Sequence, residues 1–272
     1  MARGALCARG TILWYNVAKV GCGLTSILLC LEKEVRLWRF GLVIVALLAS
    51  SGRQAFIRTK WYDSNPYLTR YVIPGTRRAS IHTGVDLQRA RNADASQPVH
   101  SIADGTVIFA GRGHGTWGNV VVIRHERCYS RYAHLEGVRV RKGDKLSCGD
   151  TFAVIGKSGM AYVNQGEHLH FDLSHTEILG ANPLHWPGAN YDMVRHNYFN
   201  PTLFLFSPSD TALCLAIPHV RVRAEPSLGA RIIGRLERDK LVPFSCVVDG
   251  KDGNKWLQLH PSGFAMANWF VW

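Results

Sequence analysis

Two short groups of metal-binding side chains stand far apart in the sequence. His82 and Asp86 lie four residues apart around a glycine, and His168 and His170 flank a leucine much further along. Catalytic zinc usually takes three N or O ligands from the protein and leaves a fourth position for water. His82, Asp86 and His170 would fill that quota and leave His168 for another task, although a strand H-x-H pair can also bind a metal through both rings.

The backbone must bring the first two side chains together. Along an extended strand, His82 and Asp86 would lie about 13 Å apart, too far to share one ion. A helix would shorten that distance, but the Thr-Gly-Val between them is a poor helix former. We therefore expect a sharp bend at Gly84, where glycine adopts positive φ without steric cost. His168 and His170 should share one face of a strand.

These residues sit in motifs that resemble the M23 (lysostaphin and LytM-like) zinc metallopeptidases, whose pattern is H-x3-D followed far downstream by H-x-H. Further segments resemble that family over roughly residues 70–206. They are the strand and turn at 98–107, the central strand at 118–125, the Tyr132-Ala-His-Leu135 element and the glycine-containing segment at 140–149. The resemblance implies an antiparallel M23 core in a mainly β chain.

By position in those motifs, the resemblance assigns one zinc ion to His82, Asp86 and His170. It implies that His134 and His168 are the catalytic histidines of an endopeptidase that cuts the stem peptides or cross-bridges of bacterial peptidoglycan. His168 would orient or deprotonate the water and His134 would donate to the tetrahedral intermediate, although either imidazole could reach the water. No H-E-x-x-H motif supplies a glutamate base.

The main alternative is a catalytically silent protein of the same fold that binds the cell wall or activates an amidase. The resemblance implies that such proteins have lost metal ligands, whereas this chain keeps all of them. The remaining histidines are expected to have structural or surface roles: His100, His114, His125, His175, His185, His196, His219 and His260.

Composition indicates a folded chain of about two domains, with 47% apolar residues among 272 and abundant glycine. We expect no amphipathic helix of three turns or more after residue 60. The predicted strands are 98–102, 105–110, 119–125, 129–134, 151–155 and 168–174. A loop-rich segment at 175–199 should wall the substrate groove.

Residues 217–272, after a predicted linker at 207–216, resemble a bacterial SH3-like (SH3b) domain. The resemblance rests on Arg223, Pro226, Ser227, Gly234 and Trp256. It implies a small β-barrel that targets the enzyme to the cell wall. A barrel that only packs against the enzyme is the alternative.

Residues 1–51 are expected to be a leader. The apolar run at 40–49 and the small residues after it are typical of a signal peptide. The true start is then predicted near Leu31 or Val35, and the rival interpretation makes 11–31 and 40–49 two weak hydrophobic anchors. Both the signal-peptide and the anchor interpretation predict export to the periplasm, cell wall or extracellular space, with membrane contact only through an uncleaved N-terminal segment. Residues 52–69, which follow, are interpreted as a linker.

The net charge bears on which partners the protein binds, and the cysteine spacing bears on metal, redox and disulfide sites. The net charge of +12 favours peptidoglycan or an anionic cell-wall polymer, and the scattered basic residues lack an aromatic-basic motif for nucleic acid. We expect a monomer. Seven cysteines without a C-x-x-C pair predict neither a zinc knuckle nor a redox motif, and a Cys128–Cys148 disulfide is left open.

Overall fold

The computed structural model describes residues 3–8, 11–16, 61–73, 76–89, 97–159, 166–205, 207 and 210–272. The chain divides into two compact units, Met1–Leu48 and Ala49–Trp272. In the first unit, strands β1 (Arg3–Ala8) and β2 (Thr11–Asn16) form an antiparallel hairpin. The apolar run at 40–49 and most of the predicted leader lie outside the described residues. Among the described residues, no helix has the length and apolar character needed to cross a membrane.

The second unit is mainly β, as predicted. Its larger sheet contains β3 (Trp61–Asn65), β6 (Val85–Arg89), β8 (Gly105–Arg112), β9 (Asn119–Arg124), β10 (Tyr129–Leu135), β11 (Lys145–Leu146), β13 (Leu169–Ser174) and β14 (Tyr198–Phe199). The strand order is β11–β8–β9–β10–β13–β6–β3, with β14 also paired to β13, and the pairings are antiparallel.

Two small antiparallel ribbons and three short helices cover this sheet. The ribbons pair β4 (Arg70–Val72) with β5 (Ala79–Ile81), and β7 (Pro98–His100) with β12 (Thr151–Val154). The helices are α1 (Ile178–Ala181), α2 (Tyr191–Asn197) and α3 (Pro201–Leu205). The longest helix in the described part of the chain therefore has seven residues, and each predicted strand is present to within two residues at either end.

The centre of the sheet is buried on both faces. Along β9, Val121 and Ile123 join one apolar cluster with Phe171, while Val120 and Val122 join another on the opposite face. All four β9 side chains are fully buried, which explains why this strand reads as a continuous apolar run. This two-sided packing makes the sheet a rigid support for side chains on the neighbouring strands β10 and β13.

The C-terminal region forms a second antiparallel sheet. Its strands are β15 (Thr211–Cys214), β16 (His219–Arg223), β17 (Ile232–Glu237), β18 (Leu241–Asp249), β19 (Lys255–Leu259), β20 (Phe264–Met266) and β21 (Phe270–Val271). They lie in the order β17–β16–β20–β19–β18–β15–β21.

Two segments interpreted as linkers contain strands instead. Strand β3 occupies part of 52–69 and pairs with β6, and β15 occupies part of 207–216. The physical reason at β15 is the alternation of its side chains. Leu213 packs into the core of the larger sheet, while Ala212 and Cys214 pack into the C-terminal core. One short strand thus serves two cores, and the polar residues that precede it obscured this in the sequence.

A buried arginine also joins the two sheets. Arg238 donates from Nη1 to Leu215 O at 2.6 Å and from Nη2 to Tyr198 O at 2.7 Å. Tyr198 O also accepts from Tyr67 Oη at 2.8 Å. Elsewhere in this unit no disulfide joins Cys128 to Cys148, whose Sγ contacts Ile102 O at 3.3 Å.

Replacing Arg238 with alanine should destabilise the whole second unit. The change leaves the Leu215 carbonyl without a donor and removes one donor from Tyr198, both at buried positions, so we expect the free energy of unfolding to fall by about 2–4 kcal/mol. Urea denaturation measures this, with the exposed Arg235→Ala as the matched control. Equal midpoints for the two variants would contradict the interpretation that the sheets form one packed body.

Candidate functional site

A cleft of about 400 Å³ opens beside strands β6, β10 and β13. All five residues singled out in the sequence line it: His82, Asp86, His134, His168 and His170. They come from three segments that lie far apart in the chain, around residues 82–86, 134 and 168–170, and the fold brings these segments together. Trp186, from the 175–199 segment that was expected to wall the substrate groove, also lines this cleft.

Gly84 shapes the bend between β5 and β6, for a different reason from the one expected. Its φ is not in the positive range, so the prediction of a left-handed glycine is wrong. A Cβ on Gly84 would instead overlap with the carbonyl oxygen of Phe171 on β13. Glycine is required because β13 passes so close. That approach allows β6 to pair with β13 and sets Asp86 directly opposite His170.

Three potential ligand atoms meet at the end of this pairing. His82 Nε2 lies 3.0 Å from Asp86 Oδ1 and 2.9 Å from His170 Nδ1, and the last two atoms are 3.0 Å apart. Nitrogen and oxygen ligands of a tetrahedral zinc ion, each about 2.0–2.1 Å from the metal, lie about 3.3 Å from one another. The His-Asp-His cluster therefore has the donor types and the spacing of a three-ligand metal site.

Hydrogen bonds on the far side of each ring support the same interpretation. His82 Nδ1 donates to Pro66 O at 3.1 Å, and His170 Nε2 donates to Asp172 Oδ2 at 2.9 Å. Because a carbonyl or carboxylate oxygen accepts, the ring proton is assigned to those nitrogens, and the facing nitrogens are left with lone pairs. Two lone pairs and a carboxylate oxygen this close together require a cation between them.

The pKa values of Asp86 and His170 are both shifted in the direction that keeps a positive charge beside an ionised carboxylate at this position. Burial alone would raise the pKa of Asp86, but its contacts with the rings of His170 and His82 hold that pKa well below its usual range. Burial alone would lower the pKa of His170, but Asp172 and Asp86 raise it to about 9. In the metal-free protein a proton therefore stabilises the same position that a metal ion would stabilise.

His134 and His168 form a second pair beside this cluster. Their ring centroids are 4.6 Å apart, and His134 lies 6.1 Å from the ring of His170. His134 Nδ1 faces Ser158 O at 3.3 Å and His168 Nδ1 faces Gly166 O at 3.0 Å. Each carbonyl assigns the proton to Nδ1, so Nε2 is the basic nitrogen of both rings.

Backbone strain and burial both act on His134. Strand β10 bulges here, and His134 has a φ of 60°, which is unusual for a residue other than glycine and costs on the order of 1–3 kcal/mol. Burial lowers the pKa of His134 to about 3, with further lowering from His168 and His170. The ring is therefore neutral at pH 7 and able to take up a proton only when negative charge develops nearby.

The structure adds residues that the sequence analysis did not assign. Asp172 accepts from His170, and its Oδ2 also accepts from Arg131 Nη2 at 2.6 Å. Trp117 packs edge-on to His170, with ring centroids 5.3 Å apart. The i, i+2 spacing on β13 was a usable signal for Asp172, since it shares the face of His170. The sequence carried no comparable signal for Arg131 or Trp117.

Comparison with known proteins identifies the class. Residues 80–183 match the model of Peptidase family M23. Lipoprotein NlpD of Yersinia enterocolitica is 32% identical over 91 residues, which cover 33% of this chain and 89% of that protein. The chain therefore belongs to peptidase family M23.

Two longer relatives match over part of their length. Peptidoglycan DD-endopeptidase ShyA of Vibrio cholerae is 33% identical over 139 residues, which cover 51% of this chain and 30% of ShyA. Murein hydrolase activator NlpD of Escherichia coli is 29% identical over 104 residues, which cover 38% of this chain and 25% of that protein. The chain thus spans only about a quarter to a third of the length of these two relatives.

Substituting Gly84 with alanine should separate β6 from β13. The added methyl group would collide with the Phe171 carbonyl, so we expect a loss of more than about 3 kcal/mol in unfolding free energy and weaker metal binding. Gly111→Ala in β8 is the control, because a Cβ there meets Phe109 at an ordinary 3.6 Å. Urea denaturation compares the two. A Gly84→Ala protein as stable as the control would show that this close approach is not needed.

Proposed function

We propose that the chain is a zinc-dependent endopeptidase that hydrolyses peptide bonds of bacterial peptidoglycan. The convergence of His82, Asp86 and His170 on one point, with two further histidines in the same cleft, is the observation that carries the proposal. Named peptidoglycan endopeptidases of family M23 among the relatives support the choice of substrate.

His82, Asp86 and His170 would hold one zinc ion. Two neutral imidazoles and a single carboxylate leave the loaded site with a net positive charge, which favours an oxyanion. When bound, zinc supplies Lewis acidity that activates water and polarises a carbonyl. The carbonyl of Pro66 and the carboxylate of Asp172 keep the two rings in the tautomers that this binding requires.

His168 and His134 would carry the proton transfers. His168 Nε2 takes the proton from the attacking water, and the Gly166 carbonyl holds the ring in the tautomer that leaves this nitrogen basic. The hydrogen bond from His134 Nδ1 to Ser158 O leaves its Nε2 without a proton in the resting state. The donor role expected for His134 therefore requires that Nε2 first receive a proton, which negative charge on the tetrahedral intermediate would favour.

The C-terminal sheet would act as an SH3-like wall-binding domain, and the net charge of +12 suits an anionic wall polymer. Trp256 and Arg223 from the SH3-like motif are buried, so they shape the region and do not present a ligand surface. We further propose that the protein is exported, that it acts as a monomer, and that the two predicted domains, 70–206 and 217–272, extend to include β3 and β15 respectively.

The alternative is a wall-binding or amidase-activating protein without its own activity. Murein hydrolase activators among the relatives make it the second candidate. It is the weaker one, because it needs neither the metal cluster nor the buried, strained His134. Hydrolysis of purified peptidoglycan by the protein alone, without an added amidase, separates the two candidates.

His170→Ala should abolish zinc binding and peptidoglycan hydrolysis while leaving wall binding intact. Removing one of three ligands leaves two, which are too few to retain the ion at micromolar chelator. Zinc content, zymography with and without chelator, and pull-down with insoluble peptidoglycan measure the three properties. His260→Ala is the control, since His260 is exposed in the bend that follows β19. Full hydrolysis by His170→Ala would contradict the proposal.

His168→Ala and His134→Ala should each bind one equivalent of zinc as the unmodified protein does. We expect each to lower kcat by about 10²–10⁴-fold, since proton transfer is lost while the metal cluster stays intact. Steady-state kinetics on a soluble muropeptide, with zinc content measured in the same samples, tests this. A variant that loses zinc together with activity would show that its histidine is a ligand.

A further inference from the structure

Arg131 lies fully buried on β10, directly opposite Asp172 on β13. Its Nη2 and Nε donate to Asp172 Oδ2 at 2.6 and 3.1 Å. Asp172 Oδ2 also accepts from Thr83 Oγ1 at 3.0 Å and from His170 Nε2 at 2.9 Å. The guanidinium thus fixes the carboxylate that orients the ring of His170.

The other end of the same guanidinium holds the wall of the cleft. Arg131 Nη1 donates to Pro183 O at 3.2 Å and to His185 O at 2.8 Å. The next residue is Trp186, which lines the cleft and donates from Nε1 to Ser80 Oγ at 2.7 Å. One planar cation therefore fastens the segment that carries Trp186 to the strand that carries His170.

Trp117 completes the connection. Arg131 Cζ stacks 4.1 Å from the centre of the Trp117 ring, which contacts the rings of His170 and Trp186 at centroid distances of 5.3 and 5.6 Å. A shift of the guanidinium would therefore move the His170 acceptor, the aromatic wall and the indole between them together.

We propose that Arg131 is a positioning residue that couples the metal cluster to the Trp186 wall of the cleft, and so sets both metal affinity and the fit of the substrate peptide. This inference rests on the proposed zinc site. Its physical basis is the fork of Arg131, which uses at least four N–H donors in two directions. A lysine ammonium is a point charge that cannot span both the carboxylate and the two carbonyls.

Arg131→Lys tests the proposal because it keeps the buried charge and removes the fork. We expect zinc affinity, measured by chelator competition, to fall about 10–100-fold, the usual effect of disturbing the acceptor of a metal-binding histidine. The visible spectrum of the Co²⁺-loaded protein should change as well, because it reports ligand geometry. Arg124→Lys, an exposed position on neighbouring β9, is the matched control and should match the unmodified protein.

A second experiment measures, by steady-state kinetics, how Arg131 affects the Trp186 wall of the cleft. With zinc at saturating concentration, Arg131→Lys should raise KM for a soluble muropeptide and lower kcat/KM about tenfold or more, since the Trp186 segment loses its anchor. Unchanged zinc affinity and an unchanged Co²⁺ spectrum would overturn the proposal that Arg131 positions the ring of His170 through Asp172. Lost zinc affinity with an unchanged KM would overturn the coupling to the wall.

Two further provisions keep the result interpretable. If circular dichroism shows that Arg131→Lys does not fold, the double variant Arg131→Met with Asp172→Leu replaces the buried pair by apolar side chains, an exchange that proteins often tolerate. It should fold and still lose zinc affinity, because His170 Nε2 has no acceptor. If the unmodified protein binds zinc but does not hydrolyse peptidoglycan, the proposed function fails, while zinc affinity and the Co²⁺ spectrum still decide the role of Arg131.

Discussion

The antiparallel pairing of β6 with β13 is the constraint on which the site depends. It places Asp86 opposite His170, and the bend before β6 returns His82 to the same point. The pairing exists because a glycine lets the backbone of β13 approach within the space a side chain would need. A one-residue shift in the register of this pairing would turn Asp86 and His170 to opposite faces of the sheet, and the three ligand atoms would no longer meet.

Around that pairing, polar groups are arranged so that each imidazole has a defined tautomer. Pro66 and Asp172 hold the rings of the His-Asp-His cluster, and Ser158 and Gly166 face the other pair of histidines. Burial then adjusts the chemistry, because it keeps His134 neutral and makes the three-atom cluster favourable only around a cation. The apolar packing on both faces of β9 supplies the rigidity that such placement needs.

The sequence predicted the strands and the mainly β class, because short runs of β-branched and aromatic residues are local signals. The resemblance to family M23 motifs singled out the five residues that line the cleft. It did not predict Arg131, since a strand arginine looks like any surface cation until its partner across the sheet is known. Asp172 could have been predicted, because it lies two residues from His170 on the same face of a strand. The register that pairs it with Arg131, however, is a long-range property that the sequence pattern does not carry. Strand β15 was read as a linker because four residues between polar neighbours carry little periodicity.

The two-faced strand β15 has a consequence for how this chain could be taken apart. Since Leu213 belongs to one core and Ala212 to the other, a cut on either side of the strand leaves an apolar groove open to water. Grafting this C-terminal region onto a different protein, or replacing it with another domain, would therefore require a redesigned interface at β15. The two sheets are therefore not independent domains joined by a flexible linker, because β15 contributes side chains to the cores of both.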